Sequence, residues 1–253
     1  MTGRVAHIWR HPVKSAGREE LREVTLEAGR TMPWDRAWAV AHDAARLGDG
    51  PPDWAPCANF SIGAKAPRLQ AVRARLDTAA ARVTLSHPDR PEITVAPDDP
   101  ADAARLVDWL TPLMPEGRAM PARVLRVPGR GMTDTDFPSV SLNNLSSHRA
   151  VEGRLGQAIS PLRWRGNFLI DGLGPWEEFE WIGRTIRIGD AEIAVRERIQ
   201  RCMATTANPD TGRRDADTLG ALESGWDHRD FGIYGEVVTP GRVARGDAVT
   251  VLR

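Results

Sequence analysis

The sequence predicts a mainly β fold, a β-barrel or α+β architecture rather than a doubly wound parallel sheet. Three observations point there. Short β-prone runs outnumber helical ones, turn-forming residues separate them at close intervals, and strands do not alternate with helices in the βαβ manner. A length of 253 residues allows one large or two modest domains with a substantial core.

In the first half, β-prone runs cover residues 5–9, 24–26, 38–41, 72–76, 83–85 and 93–95. The last two flank Ser86-His87-Pro88-Asp89-Arg90-Pro91, a turn-rich connector suited to a hairpin. A helix follows, capped by Asp99, opened by Pro100, striped by Ala104, Leu106, Val107 and Leu110, and stopped by Pro112 and Pro115. The pattern then restarts, which places a domain boundary near Gly117 and divides the chain into 1–117 and 118–253. In the second part, strands are expected at 124–127, 168–170, 185–188, 193–195, 233–238 and 248–252. Gly189-Asp190 marks a second hairpin turn. Helices are expected at 145–155, after Asn143-Asn144, and briefly after Asp215 or Asp217.

Composition narrows the function. A 41% hydrophobic content suits a globular chain, and 34 basic residues against 34 acidic ones leave no net charge. Bulk charge therefore recruits neither nucleic acid nor a membrane surface, and no run of about 18 apolar residues spans a bilayer. The two cysteines, Cys57 and Cys202, stand far apart and read as free thiols of a reducing compartment. Residues 1–10 lack the apolar stretch of a secretion signal, so a cytoplasmic location is expected. Six dispersed histidines form no metal-ligand pair, and no Gly-x-Ser-x-Gly elbow is present.

The stretch most informative about chemistry runs Arg198-Ile199-Gln200-Arg201-Cys202-Met203-Ala204-Thr205-Thr206-Ala207-Asn208-Pro209-Asp210-Thr211-Gly212. It sets a thiol beside one arginine and near another. Cations favour the thiolate, the form that binds metals or attacks electrophiles. The alternative is a buried structural cysteine, the commoner fate of a lone thiol. Cys57 has no adjacent cation and reads as a packing residue. At Pro12-Val13-Lys14-Ser15, an ammonium and a hydroxyl after a strand suit a phosphate, although exposed lysines are common in such places. Asp35-Arg36 is either a surface ion pair or a guanidinium aimed into a pocket. Trp164-Arg165-Gly166-Asn167 sets an arginine beside a glycine at a strand start, suited either to an anion or to a surface salt bridge. Trp164 and Trp176 are candidates to border such a pocket.

Together these elements, with Phe231-Gly232-Ile233-Tyr234 and Gly246-Asp247 near the end, resemble the MOSC family in order and spacing along nearly the whole chain. Within that family the chain is similar to the amidoxime-reducing branch and its bacterial counterparts. It implies an N-terminal MOSC-associated β domain followed by a C-terminal MOSC barrel with a few helices. It also implies a molybdenum cofactor (Mo-molybdopterin) ligated by Cys202. Lys14, Ser15, Arg36 and Arg165 match positions that hold the pterin and its phosphate. Gln200 and Arg201 match cofactor-touching positions, as Asn167 does more weakly. The implied activity is reduction of N-hydroxylated or N-oxide small molecules. The rival is a sulfur-carrier or cofactor-carrier module receiving a persulfide on Cys202. Two cysteines cannot supply the about four ligands of an iron–sulfur cluster, and no Gly-x-Gly-x-x-Gly run binds a dinucleotide. An external electron-donor redox protein is therefore implied. Two departures stand out: Ala64-Lys65-Ala66 replaces a Gln-Arg element before Pro67-Arg68-Leu69, and Asp134 and Asp136 precede Pro138 at unusual offsets, so neither takes a proton-donor role.

Overall fold

A computed structural model describes residues 2–48 and 50–252. The first strands are β1 (Gly3–Arg10), β2 (Glu19–Leu21), β3 (Glu23–Leu26), β4 (Ala39–His42), β5 (Arg73–Asp77), β6 (Arg82–His87) and β7 (Arg90–Val95). Then come α1 (Pro100–Leu110), β8 (Pro121–Leu125), β9 (Val140–Asn144), α2 (Leu145–Leu155), β10 (Phe168–Asp171), β11 (Thr185–Ile188) and β12 (Ala191–Gln200). The chain ends with α3 (Thr218–Trp226), β13 (Asp230–Thr239), β14 (Gly241–Ala244) and β15 (Ala248–Val251).

Seven strands close into a barrel in the order β10, β9, β13, β12, β11, β15, β1, with β1 returning to β10 and β2 extending outward from β1. Closure removes the exposed edges that an open sheet leaves. The pairs are antiparallel except β9 with β10, which run parallel with α2 in their connection. A parallel pair needs such a crossover. The barrel interior gathers Val5 and Ile8 from β1 with Val140, Phe168, Ile186, Ile193, Ile233 and Val249. Each side chain of this kind contributes roughly 1.5–3 kcal/mol by leaving water. The β3–β14 ribbon adds Val24, Leu26 and Val243 to the same core. A second core joins the β5–β6–β7 sheet to α1 through Val83, Leu85, Val95, Leu106 and Leu110, with Trp38 beneath.

Local chemistry explains the helix starts. The Asp99 carboxylate accepts from the backbone N–H of Ala101 and Asp102, both at 3.0 Å, and Pro100 opens the first turn of α1. Asp217 caps α3 by accepting from Gly220 N at 2.9 Å. Asn144 caps α2, which ends on left-handed Gly156. Expected strands occur within a few residues of their reading, but β2, β9 and β14 were not anticipated. β9 was not anticipated because it offers only Val140 and Leu142 to the barrel core, alternating with the buried polar Ser141 and Asn143, and this short pattern runs directly into the Asn143-Asn144 helix start. With β9 present, β9–α2–β10 forms a βαβ unit that the run pattern did not disclose.

Asn144 also helps bury a carboxylate. Glu178 accepts from Asn144 Nδ2 at 2.7 Å and from Ser147 Oγ at 2.9 Å. Burial pushes its carboxyl above the usual range. A raised folded value contributes stability below the unfolded value and loses it as pH rises through the folded one. Glu178→Gln is therefore expected to raise the urea midpoint at about pH 8 and to leave it unchanged near about pH 4. A drop of equal size at both pH values would show that the carboxylate's geometry, not its charge, governs the site.

Candidate functional site

β12 supplies one wall of the site. Its residues alternate between buried and less buried from Ala191 to Val195, and then Arg196, Glu197 and Arg198 are all exposed. The change coincides with register shifts against β13 between Val195 and Glu197 and again between Arg198 and Gln200. Such bulges re-aim side chains. Here they let Glu197, Arg198, Gln200, Arg201 and Cys202 all line one cavity.

Cys202 is exposed where β12 gives way to a tight turn, so the buried-cysteine alternative does not describe it. Its carbonyl accepts from Thr205 N at 3.2 Å and from Thr205 Oγ1 at 3.1 Å. Thr206 Oγ1 donates to Met203 O at 2.8 Å, and Gln70 Nε2 reaches Ala204 O at 3.3 Å. The paired threonines thus brace the cysteine's own turn. The Asn-Pro-Asp-Thr-Gly segment fastens the turn to the first half of the chain. Asp210 accepts from Arg18 at 3.2 Å and Arg73 at 3.0 Å. Gly212 has φ of +67°, and a Cβ there would lie 2.6 Å from Arg68 Cα. Only glycine fits both demands without strain.

The opposite wall comes from three loops. Ser15, Arg36 and Arg165 have φ of 63°, 49° and 50°, left-handed values uncommon for residues with a side chain. Each costs on the order of 1 kcal/mol or more, and such strain gathers at ligand sites. Cross-braces hold the loops together. Lys14 N donates to Trp38 O at 2.8 Å, and Arg36 N donates to His11 O at 2.7 Å. Arg36 Nη2 donates to Arg165 O at 3.0 Å, while Arg165 Nη2 donates to Gly17 O at 3.2 Å. Asp35 is buried, accepts from His11 N at 2.8 Å and pairs with Arg36, so it is an interior brace and not a surface ion pair. Burial alone would neutralise Asp35, but Arg36 and His11 hold its carboxyl well below the usual range. Burial, with Arg165 next in effect, pushes His11 down to about 3, so its ring is neutral.

Between the walls lies a cavity of about 410 Å³. Lys14, Arg36, Arg163, Arg165, Arg198 and Arg201 line it against only Asp134 and Glu197. A chain with no net charge has concentrated positive charge here. Some of these cations are occupied: Lys14 pairs with Asp134 and donates to Met132 O at 2.9 Å, and Arg163 pairs with Asp215. The surrounding protein opposes the Asp134 charge although the side chain is 55% exposed, yet Lys14, Arg36 and Arg165 keep its carboxyl below the usual range. Arg201 donates to Phe231 O, Trp164 O and Asn143 Oδ1 at 2.7–2.8 Å, so its guanidinium is directed to protein oxygens. Arg165 differs: Nη1 is buried without any partner, and no carboxylate pairs with this residue among the described residues. Burial, then Arg36 and Arg18, pull its pKa down to about 9. An uncompensated buried guanidinium is costly unless an anion completes it.

Lys14, Ser15, Arg36, Arg165, Gln200, Arg201 and Cys202 therefore share one cavity, with Trp164 at its edge. Asn167 stands behind the wall. Its Oδ1 accepts from Ser141 N and Oγ at 3.0 and 2.9 Å, and its Nδ2 donates to Trp9 O at 3.2 Å. Trp176 packs instead against Trp226 and Phe231. Cys57 is exposed and lines the cavity, contrary to its reading as a packing residue. Its nearby charges, Asp134 and Lys14, come from distant sequence, so no local signal marked it. Partial desolvation by the cavity wall pushes its thiol pKa up. Asp134, Glu197 and Tyr234 also line the site: Asp134 was weighed in the sequence and given no role, Tyr234 entered only as part of the Phe-Gly-Ile-Tyr element, and nothing in its immediate sequence distinguished Glu197.

The MOSC N-terminal beta barrel domain family matches residues 2–119, and the MOSC domain family matches residues 133–250. The chain belongs to the MOSC family. Lys14, Ser15 and Arg36 fall in the first MOSC match, and Asp134, Arg165, Gln200, Arg201 and Cys202 fall in the second, so the cavity draws on both. The MOSC chain is 26% identical over 162 residues to mitochondrial amidoxime-reducing component 1 of Mus musculus, covering 59% of this chain and 47% of that protein. The alignment thus spans less than half of that relative's length. Among solved structures, the YuaD protein from Bacillus subtilis is similar with a TM-score of 0.47 and 11% identity, over 98% of this chain and 94% of that one. YiiM from Geobacillus stearothermophilus has a TM-score of 0.35 and 18% identity, over 45% and 54%. Among the described residues, no helix is long and apolar enough to cross a membrane, and no three or more His, Cys, Asp or Glu residues gather to hold a metal ion.

Proposed function

We propose that this MOSC protein binds a molybdenum cofactor through Cys202 and reduces N-hydroxylated or N-oxide small molecules. The observation that carries the reading is the buried, unpartnered Nη1 of Arg165 in a cation-lined cavity that also holds the exposed Cys202 thiol. An anionic cofactor fits that donor set: Lys14, Ser15, Arg36 and Arg165 would hold its phosphate, and Gln200 and Arg201 would border its ring. A metal at Cys202 would take its remaining donors from the cofactor, since among the described residues no His, Cys, Asp or Glu cluster gathers around the thiol. A soft thiolate suits molybdenum better than a carboxylate would.

When bound, such a cofactor supplies two-electron chemistry, and the protein supplies binding, orientation and a shaped environment. For an N-hydroxylated substrate the balance is R–NH–OH + 2 e⁻ + 2 H⁺ → R–NH₂ + H₂O. Asp35 holds Arg36, Arg36 braces the Arg165 loop, and Arg165 braces the loop carrying Lys14 and Ser15. The electrons come from a separate redox protein, and the substrate is a small N-oxygenated molecule. The proposed setting is the cytoplasm, with no nucleic-acid or membrane partner.

A carrier role, with a persulfide on Cys202, is favoured by one observation: the Cys57 thiol shares its cavity. Production in a molybdenum-replete host, followed by metal, pterin and sulfide analysis, separates the two. Stoichiometric molybdenum and pterin with turnover of N-methylhydroxylamine is the expected result. Labile persulfide without metal or turnover supports the carrier instead.

A further inference from the structure

Ser141, Tyr234 and Glu197 stand side by side on β9, β13 and β12, where Tyr234 is paired with Ser141 on one side and with Glu197 on the other. All three line the cavity. Ser141 Oγ is engaged with Asn167 at 2.9 Å, and Glu197 is a carboxylate, which repels another oxygen's lone pairs. Tyr234 has no hydrogen-bond partner for its hydroxyl among the described residues, nor is that hydroxyl among the buried unpartnered atoms. It is therefore an open donor on the cavity wall.

The strand backbone around Tyr234 is closely fixed. Gly232, with φ of +76°, and Gly235 flank Tyr234 by two residues and one residue. A Cβ at Gly232 would lie 2.5 Å from Leu142 O, and one at Gly235 would lie 2.4 Å from Ile193 Cγ2. β13 can thus press against both neighbours on either side of Tyr234 in the chain, which fixes the backbone position from which the ring projects. Burial, then the Asp134 charge, push the phenol well above its ordinary value, so it remains a neutral donor across the physiological range. Among the other cavity donors, Arg201 serves three protein oxygens and Lys14 serves Asp134 and two carbonyls, the remaining arginines select anions, and the neutral Ser15 and Gln200 are the residues proposed above to hold the cofactor.

We propose that the Tyr234 hydroxyl donates a hydrogen bond to the N–O oxygen of the substrate, making Tyr234 a catalytic residue that recognises the oxygen to be removed. This rests on the reductase reading above. The same donor chemistry fits an oxygen of the cofactor, and the test separates the two.

Tyr234 is the only tyrosine in the chain, so 3-fluorotyrosine labels this position alone. Holoprotein so labelled, without electron donor, would be titrated with trimethylamine N-oxide while its ¹⁹F resonance is followed. In parallel, Tyr234→Phe would be compared with wild type for molybdenum, pterin and turnover of trimethylamine N-oxide and N-methylhydroxylamine. The expected results are a saturable ¹⁹F shift, unchanged cofactor content and a roughly tenfold or greater fall in kcat/KM for both compounds. A variant with lowered pterin content assigns the hydroxyl to the cofactor and overturns the proposal. Full cofactor content with wild-type kcat/KM, or an unmoved resonance at saturating ligand, overturns it as well. A wild type that reduces neither compound overturns the reductase reading itself, and this inference with it.

Discussion

Replacing Cys202 by alanine is expected to lower turnover of N-methylhydroxylamine by roughly 1,000-fold or more and to abolish molybdenum retention. Stability should stay within about 0.5 kcal/mol of wild type, because the side chain is exposed. The turn it begins is held through its backbone carbonyl by Thr205, and alanine keeps that acceptor. Metal content, steady-state kinetics and a thermal melt on the same preparation check the three statements. A variant that keeps its metal and its rate would remove the thiol from the chemistry. One that merely unfolds would make it a structural residue.

Arg165→Met should separate stability from binding, with opposite signs. Arg165 Nη1 is buried and unpartnered, and Arg36 and Arg18 repel its charge. Methionine keeps much of the volume and removes the charge, so the cofactor-free chain should gain on the order of 1 kcal/mol. The lost contact is the Arg165 Nη2 bond to Gly17 O, at 3.2 Å. Retention of the anionic cofactor should fall roughly 100-fold, as happens when one partner of a desolvated charge pair is truncated. Denaturant melts of the cofactor-free protein, with pterin release followed from the holoprotein, give both numbers. If the variant is less stable and binds as well as wild type, Arg165 is a structural brace and the phosphate lies elsewhere.

Much of the site was legible because its residues carry local signals. The Arg201-Cys202 pair, Lys14-Ser15 after a strand and the arginine at Arg165-Gly166 were each found in sequence, and each lines the cavity. The mostly β architecture was legible from short runs and turns, and Asp99 and Asp217 marked helix starts through their side-chain oxygens. β9 was not read as a strand, because its hydrophobic face is only Val140 and Leu142, while its buried polar residues serve the cavity wall, Arg201 and the α2 cap. The β12 extension past Val195 was missed for a related reason: its bulges expose consecutive charged residues, which read as the end of a strand.

What the sequence determined alone was the kind of chemistry available: which side chains are cationic, which atom is a thiol, where turns and caps fall. These are properties of single residues and their near neighbours. Only the tertiary structure decided which charges are left uncompensated. It paired Lys14 with Asp134 and Arg163 with Asp215, turned Arg201 toward protein oxygens, and left Arg165 without a carboxylate. It likewise brought Cys57 and Tyr234 to the same cavity. Charge compensation and burial depend on contacts between segments far apart in the chain, and those contacts exist only once the barrel has closed.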